Sequence, residues 1–192
     1  MLRVKFSTSI LITVGSLIPV AAMASSETAA IARYFGASGY AVSAMKTSAS
    51  ANRTRNPGLA DALEASLKYF DASAYEELIG EALDRQLTSG EVQELIGFTS
   101  SEAGRTVEAI FRVGNTKSDI AAVEKKIPAR LKPAVDRFVT SAAFSRVLAA
   151  IESDEASAAR RAYGEELMCA HLANTDRAAL ERLKQMGKCP KL

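Results

Sequence analysis

The residues of this 192-residue chain that could do chemistry are few: two cysteines, Cys169 and Cys189, one histidine, His171, and scattered serines and carboxylates. A Cys-x-His…Cys grouping could ligate a metal, but it offers three ligands where structural zinc takes four. Joined to each other, the cysteines would instead close a C-terminal helical hairpin and stabilise it by about 3 kcal/mol. Cys169 stands five residues before the Asn174 turn and Cys189 fifteen after it, so a straight antiparallel return overshoots. The tail must fold back, and Gly187 permits the left-handed conformation that would reverse it. His171 is then expected as a solvent-exposed residue near a helix C-terminus, where positive charge is favourable.

Other groupings carry weaker chemistry. Ser43-Ala44-Met45-Lys46 has the S-x-x-K spacing in which a lysine eases deprotonation of a serine. Its partner motifs are missing: Lys46-Thr47-Ser48 lacks the glycine of K-T-G, and Ser118-Asp119-Ile120 lacks the asparagine of S-D-N. Gly97 to Ser101 is not G-x-S-x-G. Glu76, Glu77, Glu81 and Asp84 lie close enough for glycoside chemistry, yet their spacing is that of the solvated face of an amphipathic helix. Lys117, Lys125, Lys126, Arg130, Lys132 and Arg137 outnumber Asp119, Glu124 and Asp136. That surplus could touch lipid head groups or cell-wall acids, or simply form a helix's polar side. No set of residues specifies catalysis, a cofactor or a metal.

The elements that hold these residues are helical. Alanine is frequent, tryptophan absent, and apolar residues recur at intervals of three and four with no run of alternating β-branched residues. An all-α, single-domain bundle of short to medium helices follows. Residues 25–57 read as two short helices and a loop: Gly36 and Gly39 break the pattern, Ser38 can cap the second helix, and Lys46 to Asn56 ends it. Residues 58–192 read as the bundle proper, with Pro57 suited to a first turn. Leu59, Leu63, Leu67 and Phe70 mark one stripe, and Tyr75, Leu78, Ile79, Ala82 and Leu83 the next. Thr88 and Glu91 have capping-box spacing ahead of Val92, Leu95, Ile96 and Phe98. Ser100 and Ser101 can cap a helix presenting Val107, Ile110 and Phe111. A break is expected at Gly114-Asn115 and another near Ile127, where a stripe from Ile120 to Phe138 meets Pro128 and Pro133. Phe144, Val147, Leu148 and Ile151 follow, then a charged segment from Glu152 to Arg161, then a hairpin over residues 163–192.

Residues 1–24 have the layout of a secretory signal peptide: Arg3 and Lys5, an uncharged run from Ser9 to Val20, then Ala22-Met23-Ala24. Cleavage after Ala24 is expected; a retained anchor is the alternative. An exported chain meets an oxidising compartment, which favours the Cys169–Cys189 disulfide. Arg3 and Lys5 are two of 24 basic residues against 22 acidic ones, so the chain beyond them is neutral. Nucleic acid is therefore not an expected partner, and no stable membrane anchor is expected after cleavage.

The segment Leu67 to Phe111 resembles the bacterial domain of unknown function 2059 family. The residues that carry the likeness are Tyr75-Glu76-Glu77-Leu78, the run from Leu87 to Leu95 with Thr88 and Glu91, and Phe98-Thr99-Ser100-Ser101-Glu102-Ala103-Gly104-Arg105. Thr99 departs from the family's aromatic and Glu102 from its proline, though glutamate also suits a first turn. The resemblance implies a small secreted or periplasmic helical protein and transfers no catalytic residue. The sequence thus leads to an exported, periplasmic helical module without catalytic activity, which binds a partner protein or a small apolar ligand. An envelope assembly or stress factor using an apolar groove is the first alternative, and a hydrolase the weaker one.

Overall fold

A computed structural model describes residues 25–113, 125–187 and 189, without the side chains of 110–113. Ala22, Ala24, Gly114, Asn115, Lys117, Asp119, Ile120 and Glu124 lie outside the described residues, as do the side chains of Ile110 and Phe111. Among the described residues there are ten α-helices and no strands, an all-α multi-helix bundle. They are α1 (Ser26–Tyr34), α2 (Ala37–Asn52), α3 (Pro57–Ser66), α4 (Ala72–Gln86), α5 (Ser89–Thr99), α6 (Glu102–Val113), α7 (Lys132–Val139), α8 (Ala142–Glu152), α9 (Asp154–Thr175) and α10 (Arg177–Gln185).

Short polar side chains cut the chain into these lengths. Ser25, Asn56, Asp71, Thr88, Ser141, Ser153 and Asp176 each accept a hydrogen bond from a backbone N–H in the first turn of the helix that follows. Each such cap satisfies a donor the helix itself cannot, and is worth about 1 kcal/mol. The expected Thr88–Glu91 capping box is present in both directions.

Several elements differ from the sequence reading. The second helix is not short: α2 runs 16 residues through Lys46 to Asn52. Gly36, at φ 70°, is the break before it, whereas Gly39 is absorbed inside the helix. Ser38 does not cap; its hydroxyl donates to Glu76 Oε1 at 2.9 Å. The stripe from Leu59 to Phe70 is not one core-facing helix. α3 ends at Ser66, a 3₁₀ turn spans Leu67–Tyr69, and Phe70 is extended. It is Ala60 and Ser66 that α3 buries, while Leu59 is 38% exposed. The charged segment after Glu152 belongs to α9, because Ser153 caps a helix that continues for 22 residues. Leu148 is 40% exposed, and Ala143 and Ala150 are buried in its place. The break near Ile127 is as expected, and Pro133 lies in the first turn of α7, where its missing N–H costs nothing.

The main core joins Ile31 of α1, Tyr75, Ile79 and Leu83 of α4, Val92 and Leu95 of α5, Phe138 of α7 and Val147 of α8. α4 lies at its centre, packed against α1, α2, α8 and α9. A second cluster holds Ala103, Val107, Ile127, Leu131 and Val135. A third, smaller one holds Leu180 with Cys169 and Cys189 beneath α10. No described helix is long and apolar enough to cross a membrane.

Candidate functional site

Of the residues quoted for the family likeness, Tyr75 to Leu78 lie inside α4, whereas Thr88 with Glu91 and Phe98 to Arg105 sit at helix junctions. Phe98 stacks on Phe138 with ring centroids 3.6 Å apart and planes 3° from parallel. Ser101 Oγ donates to the Phe98 carbonyl at 2.6 Å and accepts from the Gly104 N–H at 3.0 Å, which turns α5 into α6. The Tyr34 hydroxyl donates to the Gly104 carbonyl at 2.9 Å, tying α1 to this turn. Burial, with the Glu108 carboxylate adding to it, pushes the Tyr34 hydroxyl well above its ordinary pKa. Arg105 is exposed. Glu91 also receives Arg146 at 2.9 Å. Its hydrogen bonds from the Thr88 backbone and hydroxyl, aided by that charge, hold its carboxyl below the usual range. These junction residues are joints, and none of them lines a described cavity.

Glu76 does not belong to a solvated acidic face. It is 5% exposed and accepts from Arg33 Nε at 2.8 Å and from the Ser38 hydroxyl at 2.9 Å. A buried carboxylate needs such partners, and here they pin α4 to the α1–α2 corner. Ser43 and Lys46 are both exposed on α2. Arg130 pairs with Glu102, while Lys125, Lys126, Lys132 and Arg137 face solvent.

Cys169 and Cys189 are joined, with Cα atoms 5.8 Å apart, which withdraws both from any metal set with His171. Gly187 makes the fold-back at φ 69°. His171 is not solvent-exposed: it is half-buried, and its Nδ1 has no hydrogen-bond partner among the described residues. α10, α3 and the 3₁₀ turn all pack on α9, whose last residues, Ala173 to Thr175, are exposed.

The largest described cavity is elsewhere, a groove of about 910 Å³ between α3, α9 and α10. Six large apolar side chains line it: Leu59 and Leu63, Met168 and Leu172, Leu183 and Met186. Leu59 and Met186 are among the most exposed large hydrophobic residues, Met186 at 64%. Arg161, Glu165, Arg182 and Gln185 supply the polar positions. α10 forms one wall and packs chiefly on α9, so the disulfide and Leu180 fix that wall in place. Beyond Arg161 and Gly164, which line both, lies a second cavity of about 350 Å³ bounded by Tyr40, Met45, Phe70, Tyr75 and Tyr163. The Tyr163 hydroxyl donates to the Asp71 carbonyl at 2.9 Å and accepts from its N–H at 3.0 Å. Burial pushes the Tyr75 hydroxyl up to about 12 against the opposing charge of Arg160. No protein-family model, curated protein or solved structure matches the chain. What the groove does is therefore read from its own residues.

Sequence reasoning missed Arg161, Gly164, Met168 and Arg182. Gly164, Met168 and Leu172 do recur at intervals of four, a second apolar face on α9 beside the one through Tyr163 and Leu167. A helix with two apolar faces is a sign that one of them lacks an internal partner.

Proposed function

We propose that the protein is a non-catalytic binding module of the periplasm or secreted space, and that its groove holds a small apolar or amphiphilic ligand. The observation that carries this reading is the groove itself. Its volume of about 910 Å³ is in the range of ligand cavities, and such sites pair an apolar lining with a few polar groups. Soluble folds seldom leave six large Leu and Met side chains converging on solvent without a use for them. Leucine and methionine also suit ligands of variable shape, because the thioether chain adapts. Export rests on the composition of residues 1–24, and a disulfide is compatible with it.

The test is titration with the neutral fluorescent probe N-phenyl-1-naphthylamine. Saturable binding is expected, with loss in Leu63→Asp and Met168→Asp at unchanged helicity. Binding that survives both substitutions would remove the groove from consideration. Intact-mass analysis of the protein purified from its native compartment checks cleavage after Ala24.

A further inference from the structure

We infer that the occupant of the groove is a single-chain amphiphile with an anionic head, its alkyl chain running along α9 over Gly164 and its head at the Arg161 guanidinium. The inference rests on the groove being a ligand site, and three observations give the ligand its class.

The first is the shape of the floor. Leu172, Met168, Gly164 and Arg161 follow one another along a single helix at intervals of three and four. Eleven residues at 1.5 Å each make a trough of about 16 Å, the length of a medium alkyl chain. The second is Gly164. A glycine inside a helix costs up to about 1 kcal/mol relative to alanine. A Cβ built here meets nothing within 4 Å, so no packing requirement explains the glycine. What it preserves is the open space where the apolar groove reaches Arg161 and the tyrosine cavity, since it lines both.

The third is charge. Arg161 and Arg182 both line the groove, and neither has an acidic partner within salt-bridge distance among the described residues. Glu165 is the acidic residue of the lining, so the two arginines leave its charge net positive. Arg161 lines both the groove and the neighbouring cavity bordered by Tyr40 and Tyr75, whereas Arg182, on α10, lines the groove and not that cavity. A carboxylate or phosphate monoester at Arg161 would gain a charge-assisted, bidentate hydrogen bond. A cationic or neutral head would gain none.

The experiment is displacement of N-phenyl-1-naphthylamine by dodecanoate, dodecanol and dodecyltrimethylammonium. Dodecanoate is expected to bind about tenfold more tightly than dodecanol, with the cation weakest. Arg161→Gln, an exposed position, should abolish that preference and leave dodecanol unchanged. Gly164→Leu should weaken dodecanoate about tenfold while the probe still binds. Equal displacement by acid and alcohol would overturn the inference while leaving the groove a ligand site. So would a preference lost in Arg182→Gln and kept in Arg161→Gln. Absence of probe binding would remove both readings together.

Discussion

A Cβ placed on Gly104 would stand 2.1 Å from the carbonyl oxygen of Phe98 and 2.9 Å from its carbonyl carbon. Those atoms are backbone and cannot swing aside. α6 therefore starts against the last turn of α5 at a distance only glycine allows, and Phe98 is thereby held flat against Phe138. Gly104→Ala is expected to destabilise the fold by about 3 kcal/mol, at the upper end of overpacking penalties. Chemical denaturation checks this: the midpoint should fall. A variant as stable as the parent would mean that the close approach is not present in solution.

Gly164→Ala should act in the opposite direction. Its Cβ meets open space, so the variant gains helix propensity and loses no contact, about 0.5 to 1 kcal/mol of stability. The same denaturation series reads it. Two helical glycines with opposite signs separate a packing glycine from one that maintains a cavity.

Reduction of Cys169–Cys189 should release α10 first. Among the described residues, those buried beneath that helix are Leu180 and the two cysteines, with Leu172 and Leu183 partly buried beside them. Closing a chain separation of 20 residues is worth about 3 kcal/mol. Cys169→Ala/Cys189→Ala is expected to lose probe binding in the groove while the main core keeps its hydrogen-exchange protection. Protection lost everywhere at once would show that the hairpin is not a separate unit.

The Thr88–Glu91 box predicts an acid limb. The folded-state pKa of Glu91 lies below its unfolded value, so its contribution is complete above the ordinary 4.5 and disappears as pH falls through the depressed folded value. Thr88→Ala removes the hydroxyl's hydrogen bond to that carboxylate and its cap on the Glu91 N–H, keeps the backbone one, and should cost about 1 kcal/mol at pH 7. Between pH 5 and pH 3 the variant should therefore lose less stability than the parent does. Parallel pH profiles would exclude the Thr88 hydroxyl's bond to Glu91 as a contributor to the limb.

Glu76 gives a prediction specific to its burial. Glu76→Ala leaves Arg33 and Ser38 without their shared acceptor and should destabilise by about 1 to 3 kcal/mol. Glu81→Ala, on the more open part of the same helix, should change stability by less than about 0.5 kcal/mol. Thermal melts of the two variants make the comparison.

How much of this was legible beforehand differs by level. Caps could be read because they are local: Thr88 finds Glu91 three residues on, and Asp71 finds Ser73. The junction at Phe98–Gly104 was visible for the same reason. Glu76 was misread because periodicity assigns faces and does not identify what lies across them. Leu59 and Leu63 were read as one apolar stripe, which they are, but not as the wall of a groove. Their spacing marks an apolar face, and only the neighbouring helices decide whether that face becomes core or groove.

The sequence by itself determined the helices, most of their boundaries, the neutral charge of the chain beyond Lys5, and the pairing logic of Cys169 with Cys189. Each follows from interactions within a few residues or from composition. The tertiary structure decided where α10 lies on α9, that α3 turns its leucines toward the same opening, and that Gly164 leaves that opening clear to Arg161. Those relations join residues 59 to 186, and burial depends on what the chain brings alongside a face as well as on the face itself.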